Sequence, residues 1–339
     1  MASSSEQTPP SIFNVALVQM SPKPLDPDCN YNIAVAHIRD AASKGASLAL
    51  LPEYHLTGWE PEAPEFASLA STAWEYVHKY QDVAKEAHIN IVPGTIVTTD
   101  PNVTTAGTTG GSHDPTTSQG DGTPPRLFNV APFVSHAGEL LGVYTKVNLW
   151  LPERPYLTAH PPIVSPPRTS GIQTRPATRE PHEASRSRHT VISTPLGPVG
   201  LLTCWDLAFP EAFRALIKQG ARLIIIPSYW MNVDIPAEAA RYSEDTESIF
   251  LKATLVARAF ENTCAIAFCN VGGDAGKGFI GLSQVALPLK GVAEGDFRGP
   301  EVGMRIVEVD MRVVDVAERA YGIRADMGSE GWHYGDGYT

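Results

Sequence analysis

Apolar residues fall into short continuous runs separated by stretches of helical spacing. A polar, proline-bearing start at residues 1–11 is expected to fray, and residues 12–20 (IFNVALVQM) read as a first strand. Residues 30–44 carry apolar side chains at helical spacing through Ile33, Ala34, Ala36, Ile38 and Ala41, with Gly45 as a C-cap. Residues 47–51 (SLALL) read as a second, buried strand that stops at Pro52, which cannot donate to a ladder. A helix is predicted over 66–88 and one strand over 89–98. Residues 127–135 and 139–146 form a hairpin pattern around His136-Ala137-Gly138. Further buried strands are predicted at 199–203, 222–227 and 263–270, and 279–289 and 304–309 complete the sheets. Residues 238–260 read as one long amphipathic helix with Ile249, Ala253, Val256 and Phe260 on its apolar face. The glycine-rich end after Asp310 reads as an arm on the surface or on a partner. Strands alternating with helices predict an α/β fold.

Two stretches break the pattern. Residues 99–125 are rich in Thr, Gly, Ser, Asp and Pro and read as an insertion at a hairpin tip. Residues 154–189 are heavy in Pro and Arg (Arg154, Arg168, Arg175, Arg179, Arg186, Arg188). That basic island reads as a solvated loop or as one that binds an anionic substrate or partner, and a long loop beside a nucleophile is also where a substrate lid would lie. One domain over 12–318 is expected, with 1–11 before it and an arm over 319–339 after it.

The 339 residues are 43% hydrophobic and 19% charged, enough for a large core. A formal net charge of −11 argues against nucleic acid or an anionic membrane as partner. Cys29, Cys204, Cys264 and Cys269 show no CxxC spacing, so neither a zinc site nor a disulfide framework is expected. The N-terminus has no secretory pattern, and no run approaches the ~18 apolar residues of a membrane helix. A cytoplasmic, reducing location is the expectation.

Cys204 ends the apolar run 199–203, and helix-type sequence follows over about 209–218. At a helix N-terminus the macrodipole and free N–H groups would favour a thiolate and an oxyanion. Taken alone, the cysteine reads as a small core residue, since a free cysteine after an apolar strand is usually buried and inert. Glu53 follows Leu51-Pro52, Lys146 ends the run 141–145, and Glu153 lies seven residues further on in KVNLWLPER. Each alone reads as a solvated charge at a strand end.

In this order and context, the four residues resemble the nitrilase superfamily of carbon–nitrogen hydrolases. The resemblance spans about 12–309 through LLPEYHLTGW, YTKVNLWLPE, GLLTCWDLAFPEAFRAL, RLIIIPSYW, RAFENTCAIAFCNVGG and GLSQVALP. It implies a four-layer αββα sandwich. It implies that Cys204 is the nucleophile, Glu53 the general base, Lys146 the electrostatic stabiliser and Glu153 a second glutamate that holds the site. The backbone N–H of Trp205 would share the oxyanion, and His55, Trp59, Trp150, Tyr229 and Trp230 are candidate pocket residues. The implied activity is hydrolysis of a small amide or carbamoyl compound through a thioester, with no cofactor and no metal. The alternatives are nitrile hydrolysis to the acid, and an acyl-transferring or non-catalytic relative. Assembly as a homodimer or larger even oligomer is implied, through the helix after Cys204 and the helix over 238–260. Many amidases carry C-Y-D-x-R-F-P-E where this chain has Cys204-Trp205-Asp206-Leu207-Ala208-Phe209-Pro210-Glu211. Ala208 replaces the arginine, Trp205 suits the nitrile-cleaving branch, and Asp206 suits the amidases.

Overall fold

The computed structural model describes residues 8–99, 125–159 and 188–334. Two sheets stack face to face, each with helices on its outer side. The first contains β1 (Ile12–Gln19), β2 (Leu48–Leu50), β3 (Asn90–Val92), β4 (Ile96–Thr98), β5 (Phe128–Val134), β6 (Leu140–Thr145) and β13 (Gly303–Asp310). Its order is β13-β1-β2-β3-β5-β4, with β6 also paired to β5. The second contains β7 (Val191–Thr194), β8 (Gly197–Leu201), β9 (Leu223–Ser228), β10 (Ala265–Asn270), β11 (Gln284–Leu287) and β12 (Gly291–Val292), in the order β12-β11-β10-β9-β8-β7. The centre of each is parallel: β1, β2 and β3 in one, β8, β9 and β10 in the other.

The layering follows from the two-residue period of a strand. In β1, Phe13, Val15 and Leu17 point into the core between the sheets, while Ala16 and Val18 point to the outer helices. In β2, Leu48 and Leu50 face inward and Ala49 faces outward. Helices α1 (Pro27–Ser43) and α3 (Ala73–Ala87) cover the first sheet with Ile38, Ala41, Val77 and Tyr80. Helices α4 (Pro210–Lys218) and α6 (Thr246–Glu261) cover the second with Phe213, Leu216, Leu251 and Leu255. The chain is therefore the αββα sandwich expected. Asp26 caps α1 by accepting from the Cys29 N–H at 3.1 Å, ahead of Pro27 in the first turn. Polar bonds also tie the sheets together: Ser283 Oγ donates to Gln19 Oε1 at 2.7 Å, and Cys269 Sγ donates to the Val18 carbonyl at 3.3 Å.

Several elements differ from the periodicity. The helix expected over 66–88 is two, α2 (Pro64–Leu69) and α3, because Ser71-Thr72 forms a turn between them. The strand expected over 89–98 is β3 and β4, parted by Pro93-Gly94. The long helix expected over 238–260 is a short α5 (Ala237–Ala240) and α6. Its buried face is Leu251, Leu255 and Ala259, whereas Ile249, Ala253 and Phe260 are exposed. Counting apolar residues selected the wrong stripe, since both stripes of this helix are apolar. The arm expected from Asp310 is instead α7 (Arg312–Tyr321) and α8 (Ile323–Met327). They are docked by buried Val314, Ala317 and Met327, so a boundary at 319 cuts through a helix. The 99–125 insertion, apart from its end residues, and Arg168, Arg175, Arg179 and Arg186 lie outside the described residues.

Candidate active site

Four chain segments leave the carboxyl ends of strands and meet at one cavity, where an α/β sheet commonly opens a crevice for a ligand. The 51–54 segment continues from β2, Lys146 follows β6, Cys204 lies three residues past β8, and Tyr229-Trp230 follow β9. The cavity measures about 410 Å³. Glu53, Lys146, Glu153 and Cys204 line its floor, and Trp59, Trp150, Trp205, Tyr229 and Trp230 line its walls.

Lys146 is the hub. Its Nζ donates to Glu53 Oε1 at 2.8 Å and to Glu153 Oε1 at 2.7 Å, and all three side chains are buried. An ammonium placed here without both carboxylates would be costly. Burial alone would push Lys146 down, but the charges of Glu153 and Glu53 outweigh it and hold the ammonium well above its usual range.

Glu53 is clamped from every side. Its Oε1 also accepts from Asn129 Nδ2 at 2.7 Å, and its Oε2 accepts from the Tyr229 N–H at 3.0 Å. Its own N–H donates to the Ser228 carbonyl at 3.3 Å, which joins the first sheet's loop to the second sheet. Burial, together with the Glu153 charge, raises Glu53 above the usual carboxylate range against the pull of Lys146. The Cys204 thiol lines the same cavity as the Glu53 carboxylate, and the charge of Glu53 acts on it. A carboxylate whose proton affinity is raised, sharing a cavity with a thiol, can take its proton.

Glu153 sits in the 3₁₀ turn Leu151–Glu153 and uses both oxygens. Oε1 accepts from Tyr54 Oη at 2.5 Å in addition to Lys146, and Oε2 accepts from the Trp150 N–H at 2.7 Å. Tyr54 Oη accepts from Asn129 Nδ2 at 2.9 Å. Burial, then the charges of Glu153 and Glu53, raise the phenol well above its usual value, so it remains a donor.

Cys204 stands at φ +46°, a left-handed conformation that costs a non-glycine residue energy and marks a backbone held for a purpose. It opens a 3₁₀ turn, Cys204–Ala208, and α4 begins only at Pro210. Cys204 is therefore not at the N-terminus of an α-helix. Burial, then the negative charge of Glu53, raise the thiol well above its ordinary value, opposed by Lys146. The resting state is a thiol rather than the thiolate that the helix argument favoured. Asp206 shapes the elbow: Oδ2 accepts from the Thr203 N–H at 2.9 Å and from Tyr144 Oη at 2.8 Å. Its Oδ1 accepts from Asn148 N and Nδ2 at 3.0 and 2.8 Å, which ties the elbow to the loop carrying Lys146.

Of the candidate pocket residues, His55 is absent from the walls. It is fully buried, its Nε2 pairs with Tyr80 Oη at 2.9 Å, and burial lowers its pKa to about 3, so it is a neutral packing residue. Tyr54, Asn129, Asp234 and Glu247 were missed. Asn129 had a signal, as a polar residue in the apolar run FNVAPFV. Tyr54 gave none beyond its place after Glu53.

The carbon–nitrogen hydrolase family model matches residues 14–318. A nitrilase of Pyrococcus abyssi is 27% identical over 281 residues, covering 82% of each chain. Human omega-amidase NIT2 is 26% identical over 226 residues, 66% of each chain. Among solved structures, Saccharomyces cerevisiae Nit3 superposes with a TM-score of 0.66 at 20% identity, covering 91% of this chain and 94% of that one, which speaks to the fold alone.

Proposed function

Because the chain belongs to the carbon–nitrogen hydrolase family, we propose that it is a cysteine-dependent hydrolase of a small amide or carbamoyl compound that works through a thioester on Cys204. The observation that carries this reading is the buried Lys146, ion-paired with both Glu53 and Glu153, in the same cavity that the Cys204 thiol lines. Glu53 takes the thiol proton as sulfur attacks the carbonyl carbon. The Lys146 ammonium and the Trp205 N–H stabilise the oxyanion. The C–N bond breaks as Glu53 returns the proton to the leaving nitrogen, leaving an acyl thioester. Glu53 then takes a proton from water, the hydroxide attacks the thioester, and the acid departs as Cys204 regains its proton. Glu153 does not touch the reacting atoms and acts by positioning Lys146.

Amide cleavage is favoured by Asp206 in the Cys-Trp-Asp run, whose carboxylate sets the elbow. The second reading, nitrile hydrolysis, is supported by Trp205 after the nucleophile and by the similarity to the Pyrococcus nitrilase. Ammonia release from matched amides, carbamoyl compounds and nitriles by wild type and Cys204→Ala tests both. Release from amides or carbamoyl compounds that vanishes in the variant is expected. Release from nitriles alone transfers the assignment to the second reading, and release that persists in Cys204→Ala ends the cysteine mechanism. Turnover that appears only when hydroxylamine is supplied as acceptor would mark a transferase.

A homodimer or larger even oligomer completes the reading, supported by exposed Ile249, Ala253 and Phe260 along α6. A monomeric mass at micromolar concentration would overturn it. Among the described residues no helix is long and apolar enough to cross a membrane.

A further inference from the structure

The outer part of the cavity carries two carboxylates that the chemistry above does not use. Asp234 lies in the 3₁₀ turn Asn232–Asp234, and Glu247 lies in the first turn of α6. Both line the same cavity as Cys204. Each engages one oxygen: the Met231 N–H donates to Asp234 Oδ2 at 2.8 Å, and Trp230 Nε1 donates to Glu247 Oε2 at 2.5 Å. Among the described residues, Asp234 Oδ1 and Glu247 Oε1 have no hydrogen-bond partner.

These acids are rigidly presented. The Trp230 N–H donates to Asn270 Oδ1 at 2.8 Å, and Asn270 Nδ2 donates to the Trp230 carbonyl at 2.9 Å, so a buried asparagine fixes the residue that holds Glu247. The Trp230 ring packs 5.5 Å from that of Trp205 and 5.5 Å from that of Phe250. Burial, then the negative charges of Glu247, Glu53 and Glu153, raise Asp234 to about 7 against the Met231 N–H, so near neutral pH it is charged in part, and an ammonium beside it would favour the charged form. Among the described lining residues Lys146 is the one cation, and Glu53 and Glu153 already engage it. A wall whose described residues offer carboxylates and aromatic faces and no unengaged cation attracts a positive group and repels a carboxylate.

Resting on the amide-hydrolase reading, we infer that Asp234 and Glu247 are specificity residues that select a substrate whose chain ends in a protonated amine. The reactive carbonyl lies at Cys204, and the ammonium lies at the mouth between the two carboxylates and the indole rings. A substrate ending in a carboxylate meets the same two groups as repulsion and is excluded.

Two measurements test this. The first is turnover of 4-aminobutanamide, pentanamide and succinamate, a cationic, neutral and anionic series of similar size, by wild type, Asp234→Asn and Glu247→Gln. We expect kcat/KM to favour the cation over the anion by about 100-fold, and each variant to shrink that ratio about tenfold. The second needs no turnover. In a Cys29→Ser background, Cys204 is labelled with trimethylammonioethyl and sulfonatoethyl methanethiosulfonate, where the cysteine sulfur displaces methanesulfinate to form a disulfide. Normalised to glutathione, the cationic reagent is expected to react about tenfold faster, with the advantage shrinking in both variants. Equal rates, a faster anionic reagent, or a ratio unchanged by the variants would overturn the inference. The wild-type comparison stands even if a variant fails to fold. Charge-selective labelling with no turnover of any amide would reject the amide-hydrolase reading while sustaining the acidic recognition wall. Turnover that favours succinamate would sustain that reading and reject the wall.

Discussion

The Cβ that Gly94 lacks would stand 1.8 Å from the Pro52 carbonyl oxygen, and Gly94 has φ +65°. The turn between β3 and β4 therefore closes directly on the peptide that precedes Glu53. Gly94→Ala must push that backbone away and accept a strained φ. We expect a loss of about 2 kcal/mol or more, seen as a fall of roughly 3–6 °C in Tm. On the proposed mechanism we also expect kcat to fall about 10- to 100-fold at temperatures where the variant is folded, since a displaced Glu53 loses its orientation toward Lys146 and Cys204. Circular-dichroism melts beside steady-state kinetics check this, and full kcat in a folded variant would refute it.

Glu153→Gln probes how Lys146 is held. The amide can still accept from Lys146 and Tyr54, but its NH₂ faces the Trp150 N–H, two donors together. That mismatch costs about 1–3 kcal/mol. Losing one of two carboxylates also lowers the Lys146 pKa, so the basic limb of the kcat/KM profile moves to lower pH. A stability change with an unmoved basic limb would reduce Glu153 to a packing role.

Lys146→Gln acts on its neighbours in the opposite direction. Lys146 favours the charged forms of both Glu53 and Cys204. Its removal raises both, so Cys204 alkylation by iodoacetamide shifts to higher pH by about 1–3 units. Mass spectrometry of the Cys204 peptide across a pH series reads this, and an unshifted profile counts against it.

Asp234 gives a stability signature. Burial, with the charges of Glu247, Glu53 and Glu153 adding to it, raises its pKa to about 7, against the Met231 N–H that favours the charged form. The folded state then holds a proton that the unfolded state releases near pH 4. Stability supplied by that proton is present at low pH and is lost as the pH rises from about 4 to 7. Asp234→Asn does not titrate, so its Tm advantage over wild type should grow across that window and level off above it, reaching roughly 3–6 °C. Paired melts from pH 4 to 9 measure it, and a difference independent of pH would contradict the raised pKa.

Local chemistry wrote much of this molecule legibly. Buried parallel strands must be apolar on both faces, so the runs over 12–20, 199–203, 222–227 and 263–270 announced the centres of both sheets. Pro52 ended β2 because it lacks an N–H, which marked Glu53 as the residue beyond a strand. The order of Glu53, Lys146, Glu153 and Cys204 within their motifs was enough to name the four groups that meet. The apolar stripe of α6 was misread because both of its stripes are apolar, and only packing shows which one the second sheet covers.

What the sequence by itself determined was where the central strands of both sheets run and which reactive side chains stand beyond their ends. All of that follows from periodicity, proline and residue type, which act within a few neighbours. Tertiary structure decided what depends on distant groups sharing space. It made Glu53 and Cys204 titrate high through mutual burial, turned His55 away from the cavity against Tyr80, and replaced a helix N-terminus at Cys204 with a strained turn held by Asp206. It also brought Asp234 and Glu247, silent in the chain, to the cavity that Cys204 lines. Charge and burial act through space, and no spacing along the chain encodes the distances over which they act.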